Sequence, residues 1–161
     1  MLTKSDIILD NINMDKMEVK ENGKYEFISN SVEDTFAISK SIADKLSGGE
    51  VILLSGNLGA GKTTFTKGLA KSLGIEDVVT SPTFTFMKEY SGRLRLYHFD
   101  MYRATDEDEL YELGLNDYLY QGGVCVIEWN KFEGIESPIK IEITNLDDDK
   151  RKFEISGIDL A

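Results

Sequence analysis

Val51-Ile52-Leu53-Leu54-Ser55-Gly56-Asn57-Leu58-Gly59-Ala60-Gly61-Lys62-Thr63-Thr64 decides how the rest of the chain is read. Residues 50–55 carry a continuous apolar run, Val51-Ile52-Leu53-Leu54, at their centre, the pattern of a central strand buried on both faces. Residues 62–73 then place Phe65, Leu69 and Leu73 four apart, the apolar stripe of a helix that Gly74 stops. Between strand and helix, residues 56–63 match G-x-x-x-x-G-K-[ST], in the context that such a loop needs. Glycines 56, 59 and 61 permit backbone conformations that turn successive N–H groups inward, and the helix N-terminus adds partial positive charge. The stretch is therefore a cradle for the phosphates of a nucleotide, with Gly56, Leu58, Gly59, Ala60, Gly61, Lys62, Thr63 and Thr64 as expected contacts. Lys62 reaches the β- and γ-phosphates, and the Thr63 hydroxyl is offered to Mg²⁺. The rival reading, a glycine-rich turn that only caps a helix, is disfavoured by the flanking strand and helix.

A loop of this type also needs an acid at the C-terminal end of a neighbouring strand, to hold Mg²⁺ or orient an attacking water. Two positions qualify: Glu128 closes the apolar run Val124-Cys125-Val126-Ile127, and Asp100 closes the more polar Leu96-Tyr97-His98-Phe99. Glu128 is the better magnesium candidate and Asp100 the better candidate for activating water, though the two roles can be exchanged on sequence grounds. A strand-end acid facing solvent is the plain alternative for each. His98 is the only histidine, and a lone imidazole inside a strand reads first as a hydrogen-bonded core residue. Trp129, the only tryptophan, follows Glu128 and reads equally as core packing or as a neighbour of the nucleotide.

Outward from this centre, Tyr25 and Phe27 alternate with polar neighbours as in a strand, and Ser31-Val32-Glu33-Asp34 has the spacing of a helix start. Val32, Phe36, Ala43 and Leu46 are the expected apolar stripe of that helix, which Gly48-Gly49 ends. Residues 84–90 and 93–99 read as an antiparallel hairpin across Ser91-Gly92, residues 105–113 as a short helix, and residues 124–127 as a buried strand. Residues 138–144 and 151–156 alternate as a final pair across Asp147-Asp148-Asp149. The fold expected is α/β: a three-layer P-loop NTPase-like domain with a mixed, about seven-stranded central sheet flanked by helices. It spans residues 24–161, and residues 1–23, polar and without a sustained period, read as a loosely attached extension.

A chain of 161 residues is long enough to bury a real core. One cysteine, Cys125, forbids an internal disulfide, and with one histidine the chain lacks the ligand set of a structural zinc site. No apolar run approaches the roughly 20 residues that span a bilayer, and no secretory pattern opens the chain, so the cytoplasm is the expected location and no membrane partner is expected. The net charge of −11 disfavours direct binding to nucleic acid, whose recognition is driven by lysine and arginine. Any nucleic acid is expected to belong to a partner.

In order and spacing, Gly56 to Thr64, then Ser81-Pro82-Thr83-Phe84-Thr85, then Tyr97-His98-Phe99-Asp100-Met101-Tyr102-Arg103, then Ile127-Glu128-Trp129 resemble the TsaE family, formerly YjeE. These are bacterial ATPases of tRNA threonylcarbamoyladenosine biosynthesis, and the likeness runs over about residues 25–156. The loop is common to many ATPases; the other three elements in this order are specific. The resemblance implies ATP and Mg²⁺ as cofactors, Thr63 and Glu128 on the metal, Trp129 beside the nucleotide and Asp100 as the hydrolytic acid. It further implies a switch-like segment at residues 80–83, with Thr83 near the γ-phosphate, and an approach of Asn30 and Ser31 to the adenine, although Ser31 also reads as a plain helix cap. Met101 stands where leucine is common in the family.

Also by resemblance, the partners are two related proteins of TsaB and TsaD type, which transfer a threonylcarbamoyl group to adenosine 37 of tRNAs reading ANN codons. ATP hydrolysis resets or regulates that complex, and tRNA is met only through the partners. Two other classes compete. A small-molecule kinase shares the loop but usually closes an arginine lid, whereas Arg93, Arg95, Arg103 and Arg151 are not clustered in one. A nucleotide-gated binding module with negligible turnover is separated from an ATPase by stimulation of turnover by partners.

Overall fold

The computed structural model describes residues 17–19, 22–57, 59–82, 86–104 and 114–160. In chain order the strands are β1 (Met17–Val19), β2 (Tyr25–Ser29), β3 (Val51–Ser55), β4 (Met87–Tyr90), β5 (Leu96–Asp100), β6 (Val124–Glu128), β7 (Ile139–Asn145) and β8 (Arg151–Ser156). Helix α1 (Val32–Ala43) follows β2, α2 (Lys62–Ser72) follows β3, and a 3₁₀ turn covers Leu115–Asp117. One sheet holds all eight strands in the order β1-β2-β8-β7-β3-β6-β5-β4. β3 pairs in parallel with both β6 and β7, and β5 in parallel with β6, while the flanks are antiparallel. The sheet is thus mixed, as its sequence pattern implies, with one strand more than expected. That strand, β1, lies inside the stretch read as an extension: its backbone pairs with β2 from Met17↔Phe27 to Val19↔Tyr25, so the sheet begins before residue 24.

The apolar run of β3 takes the middle of the sheet because it has no polar face to leave in water, and β6, buried along its whole length, takes the neighbouring position. One sheet face is covered by α1 and α2, where Ile38, Ile42, Phe65, Leu69 and Leu73 pack on Ile52, Leu54, Phe153 and Ile155. Each such side chain, nearly or wholly withdrawn from water, contributes about 1.5–3 kcal/mol. On the opposite face Leu115, Leu119, Met101 and Ala104 pack on Val51, Phe99, Cys125 and Ile127, which completes three layers. Among the described residues no helix is long and apolar enough to cross a membrane.

Two local expectations are corrected. Of the stripe expected for α1, Ala43 and Leu46 are buried, but its first half is rotated: Val32 is 53% exposed and Phe36 half-buried, whereas Thr35, Ile38, Ser39 and Ile42 face inward. The cause is the contact with α2, where Ser39 Oγ donates to the Phe65 carbonyl at 3.0 Å and packs against Gly68, so small polar residues occupy the closest approach. The hairpin turn is longer than Ser91-Gly92, because β4 and β5 pair only from Tyr90↔Leu96 outward. Arg93 is drawn into the helix ends instead: its N–H donates to Leu73 O at 2.6 Å and its guanidinium to Ala43 O at 2.9 Å. The helix expected at residues 105–113, the start of the strand expected at residue 84, and Leu58 and Thr83 lie outside the described residues.

Candidate phosphate-binding site

The parallel core brings the C-terminal ends of β3, β5 and β6 to one edge of the sheet, the edge at which such sheets bind ligands. The chain leaves β3 through the glycine-rich loop and enters α2 at Gly61, whose φ of +107° a side chain rarely adopts. Asp100 and Glu128 end β5 and β6 directly opposite one another. Both are buried, as is Lys62, an unusual state for three ionisable side chains.

A cleft of about 290 Å³ opens between these parts. Gly59, Gly61, Lys62, Thr63 and Thr64 line it from the loop, Asp100 and Glu128 from the sheet, and Ser81 and Trp129 from its sides. Lys62 Nζ donates to the Gly56 carbonyl at 2.6 Å, lies 4.0 Å from Glu128 Oε1 and stands 4.1 Å from the centre of the Trp129 ring. Burial of the ammonium pulls its pKa below the ordinary lysine value, and the carboxylates of Glu128 and Asp100 pull it back up. Asp100 Oδ1 accepts the Tyr102 N–H at 2.9 Å, which fixes the carboxylate at the turn out of β5.

Trp129 has φ +55°, a left-handed backbone that costs a bulky residue about 1–3 kcal/mol and marks a position constrained by its surroundings. That turn lays the indole over Lys62, where Tyr102 meets it edge-on at 5.1 Å. Lys131 Nζ donates to the carbonyls of Tyr102 and Ala104, holding the segment behind the ring.

A second cleft of about 120 Å³ adjoins the first through Gly61 and Thr64. Ser29, Ser31, Val32 and Thr35 line it from the β2–α1 junction, and Asp148, Asp149 and Arg151 from the β7–β8 turn. Ser31 caps α1, its Oγ accepting from Asp34 N at 3.0 Å, and also borders this cleft. Asn30 is exposed with its N–H bonded to Asp34, outside the lining. Of the residues singled out from sequence, the fold gathers Gly59, Gly61, Lys62, Thr63 and Thr64 with Asp100, Glu128 and Trp129 in one cleft and sets Ser31 in the next, while Gly56 and Ala60 do not line that cleft.

Sequence reasoning overlooked Arg151. Its Nε donates to the Ala60 carbonyl of the loop at 3.1 Å, while Nη1 donates to Asn145 Oδ1 and the Asp147 carbonyl. It thereby ties the acidic β7–β8 turn to the phosphate loop, which no local signal around residue 151 announces. The link of Lys88 Nζ to Thr80 Oγ1, which anchors the segment carrying Ser81, was equally hidden. A larger groove, about 480 Å³, runs past Lys140 and Glu142 of β7 and Glu154 of β8; it touches the loop only at Gly56 and does not include Lys62.

The residues suit a Mg-nucleotide. Among the described residues no group of three or more His, Cys, Asp or Glu side chains could cage a metal. One hydroxyl and one carboxylate beside a phosphate cradle match the habit of Mg²⁺, which keeps waters and shares its ligands with phosphate.

A strand, a glycine-rich loop and a helix at the edge of a mixed α/β sheet, with acids on the adjacent strand ends, define a P-loop protein. The family model described as threonylcarbamoyl adenosine biosynthesis protein TsaE matches residues 29–153, and the chain belongs to that family. It is 46% identical over 130 residues to the tRNA threonylcarbamoyladenosine biosynthesis protein TsaE of Bacillus subtilis, covering 78% of this chain and 81% of that one. The protein of the same name from Treponema pallidum is 40% identical over 132 residues, covering 80% and 98%. A crystal structure of Bacillus subtilis YdiB is similar with a TM-score of 0.70 and 38% identity, covering 82% of this chain and 84% of that one.

Proposed function

We propose that this chain binds Mg-ATP in the cleft between the glycine-rich loop and the ends of β5 and β6, and hydrolyses it in the service of tRNA threonylcarbamoyladenosine formation. The observation that carries the reading is the convergence of Lys62, Thr63, Asp100 and Glu128 on one cleft at a helix N-terminus. In it the loop amides and Lys62 hold the phosphates, and Thr63 and Glu128 hold the metal. Asp100 orients the attacking water. Thr63 and Glu128 would hold Mg²⁺ beside the phosphates, where it would supply positive charge against the charge developing in hydrolysis. The adjoining cleft receives the nucleoside, with Ser31 at its wall.

The names of the relatives supply the process, and the acidic composition supports a division of labour in which partners of TsaB and TsaD type carry the tRNA. Hydrolysis then resets or regulates the threonylcarbamoyl-transfer complex in the cytoplasm. The arginines argue against a kinase lid: Arg93 caps helix ends, Arg151 braces the loop and Arg95 pairs with Glu89. Reconstituted tRNA modification with the two partners, with and without this chain, tests the reading by product formed per complex. Multiple turnovers that require this chain and ATP are expected, with ATPase activity slow alone and raised by the partners. Modification indifferent to the chain, or turnover indifferent to the partners, refutes it.

A further inference from the structure

We propose that His98 is a positioning residue for the metal-binding carboxylate: it holds one oxygen of Glu128 so that the other is presented to the phosphate cleft. This rests on the reading of Glu128 as a magnesium ligand. His98 lies on β5 two residues before Asp100 and is paired with Val126 on β6, which makes Glu128 its diagonal neighbour on the same sheet face. The imidazole is wholly buried, and its Nε2 lies 2.5 Å from Glu128 Oε2. A carboxylate that serves as a metal ligand only accepts, so in that role of Glu128 the bond has Nε2 as donor. The other oxygen, Oε1, is the one that faces Lys62. The two oxygens are therefore divided, one engaged behind the site and one directed into it.

The other ring nitrogen argues against a packing role. Nδ1 is buried and has no hydrogen-bond partner among the described residues. A leucine or phenylalanine would fill such a space without stranding a polar atom, so the single contact that distinguishes histidine here is the one to Glu128. Outer partners of this kind fix the orientation of a metal ligand, and their loss weakens the metal rather than the rest of the ligand.

The test uses the full chain loaded with a non-hydrolysable ATP analogue and Mn²⁺ as the metal probe, with Mn²⁺ affinity read by calorimetry and electron paramagnetic resonance. Glutamine places an amide N–H near the position of Nε2, whereas asparagine reaches only as far as Nδ1. His98→Leu and His98→Asn are expected to weaken Mn²⁺ about 10–100-fold, and His98→Gln to recover affinity to within about threefold of the native chain. Analogue binding in EDTA should be equal in all three. Where His98→Leu does not fold by circular dichroism, the asparagine and glutamine pair decides, since the two share chemistry and differ in reach. Equal Mn²⁺ affinity in those two variants overturns the proposal. Glu128→Gln separates the levels: if it keeps Mn²⁺, the reading of Glu128 falls and the proposal with it. If it loses Mn²⁺ while both His98→Asn and His98→Leu keep it, the proposal falls alone.

Discussion

Replacing Lys62 by alanine removes the one cation that lines the cleft among the described residues, and the structure bounds the effect from both sides. In the proposed complex the ammonium makes two charge-assisted contacts with phosphate, each about 1.5–3 kcal/mol, or ~3–6 kcal/mol in all. Taken alone, that predicts a loss of about 10²–10⁴-fold, at 1.4 kcal/mol per decade. The structure does not leave the ammonium idle, however: it is bonded to Gly56 O at 2.6 Å and stacked on Trp129 at 4.1 Å. Forfeiting the charged hydrogen bond returns about 1.5–3 kcal/mol, and so lowers the net gain from Lys62 to ~1.5–3 kcal/mol. If the indole contact is lost as well, a further 0.5–2 kcal/mol or so is subtracted. The expected rise in the Kd for Mg-ATP is therefore about 10–150-fold where the indole contact persists, and smaller where it is lost. Calorimetry on native chain and Lys62→Ala, with matched circular dichroism, measures it. A change below about threefold removes Lys62 from the phosphates, and a loss beyond about 1,000-fold refutes the resting contacts as a counterweight.

Nucleotide that draws Nζ away from the indole should change Trp129 emission saturably, with a midpoint at the calorimetric affinity; no change at saturating ATP leaves Trp129 as packing. Asp100→Asn is expected to slow hydrolysis while leaving nucleotide binding nearly intact, whereas Glu128→Gln should raise the Mg²⁺ concentration needed for half-maximal hydrolysis. The reverse pattern in metal titrations exchanges the two roles. Gly68→Ala puts a Cβ 2.7 Å from Ser39 Oγ and 2.8 Å from Phe36 Cδ1, so overpacking should outweigh the better helix propensity of alanine and destabilise by about 1–2 kcal/mol in urea titration. A stabilised variant would mean that α1 and α2 separate readily. Burial pushes the Cys125 thiol up to about 12, so the native chain should be inert to a thiol reagent at pH 8 and react on unfolding in urea. Rapid labelling of the folded protein would contradict the packing on that face.

The sequence by itself determined whatever depends on contiguous residues. The apolar run of β3, the glycine-rich loop and the stripe of Phe65, Leu69 and Leu73 are one continuous segment, so strand, loop and helix are legible without neighbours. An apolar run that ends in an acid announces a buried strand and its terminus, unbroken before Glu128 and interrupted by His98 before Asp100, which is why both could be singled out. The phase of α1 could not be read, because serines and a threonine face inward there only once the small surface of Gly68 is opposite them. Strand β1 is three residues long and is recognisable only through the hydrogen bonds that β2 provides. Arg151 meets Ala60 across 91 residues of sequence, and His98 meets Glu128 across 30. Hydrogen bonds of that reach depend on strand order and register, and these are set by which apolar faces are buried together over the whole sheet, not by any property of the residues nearby.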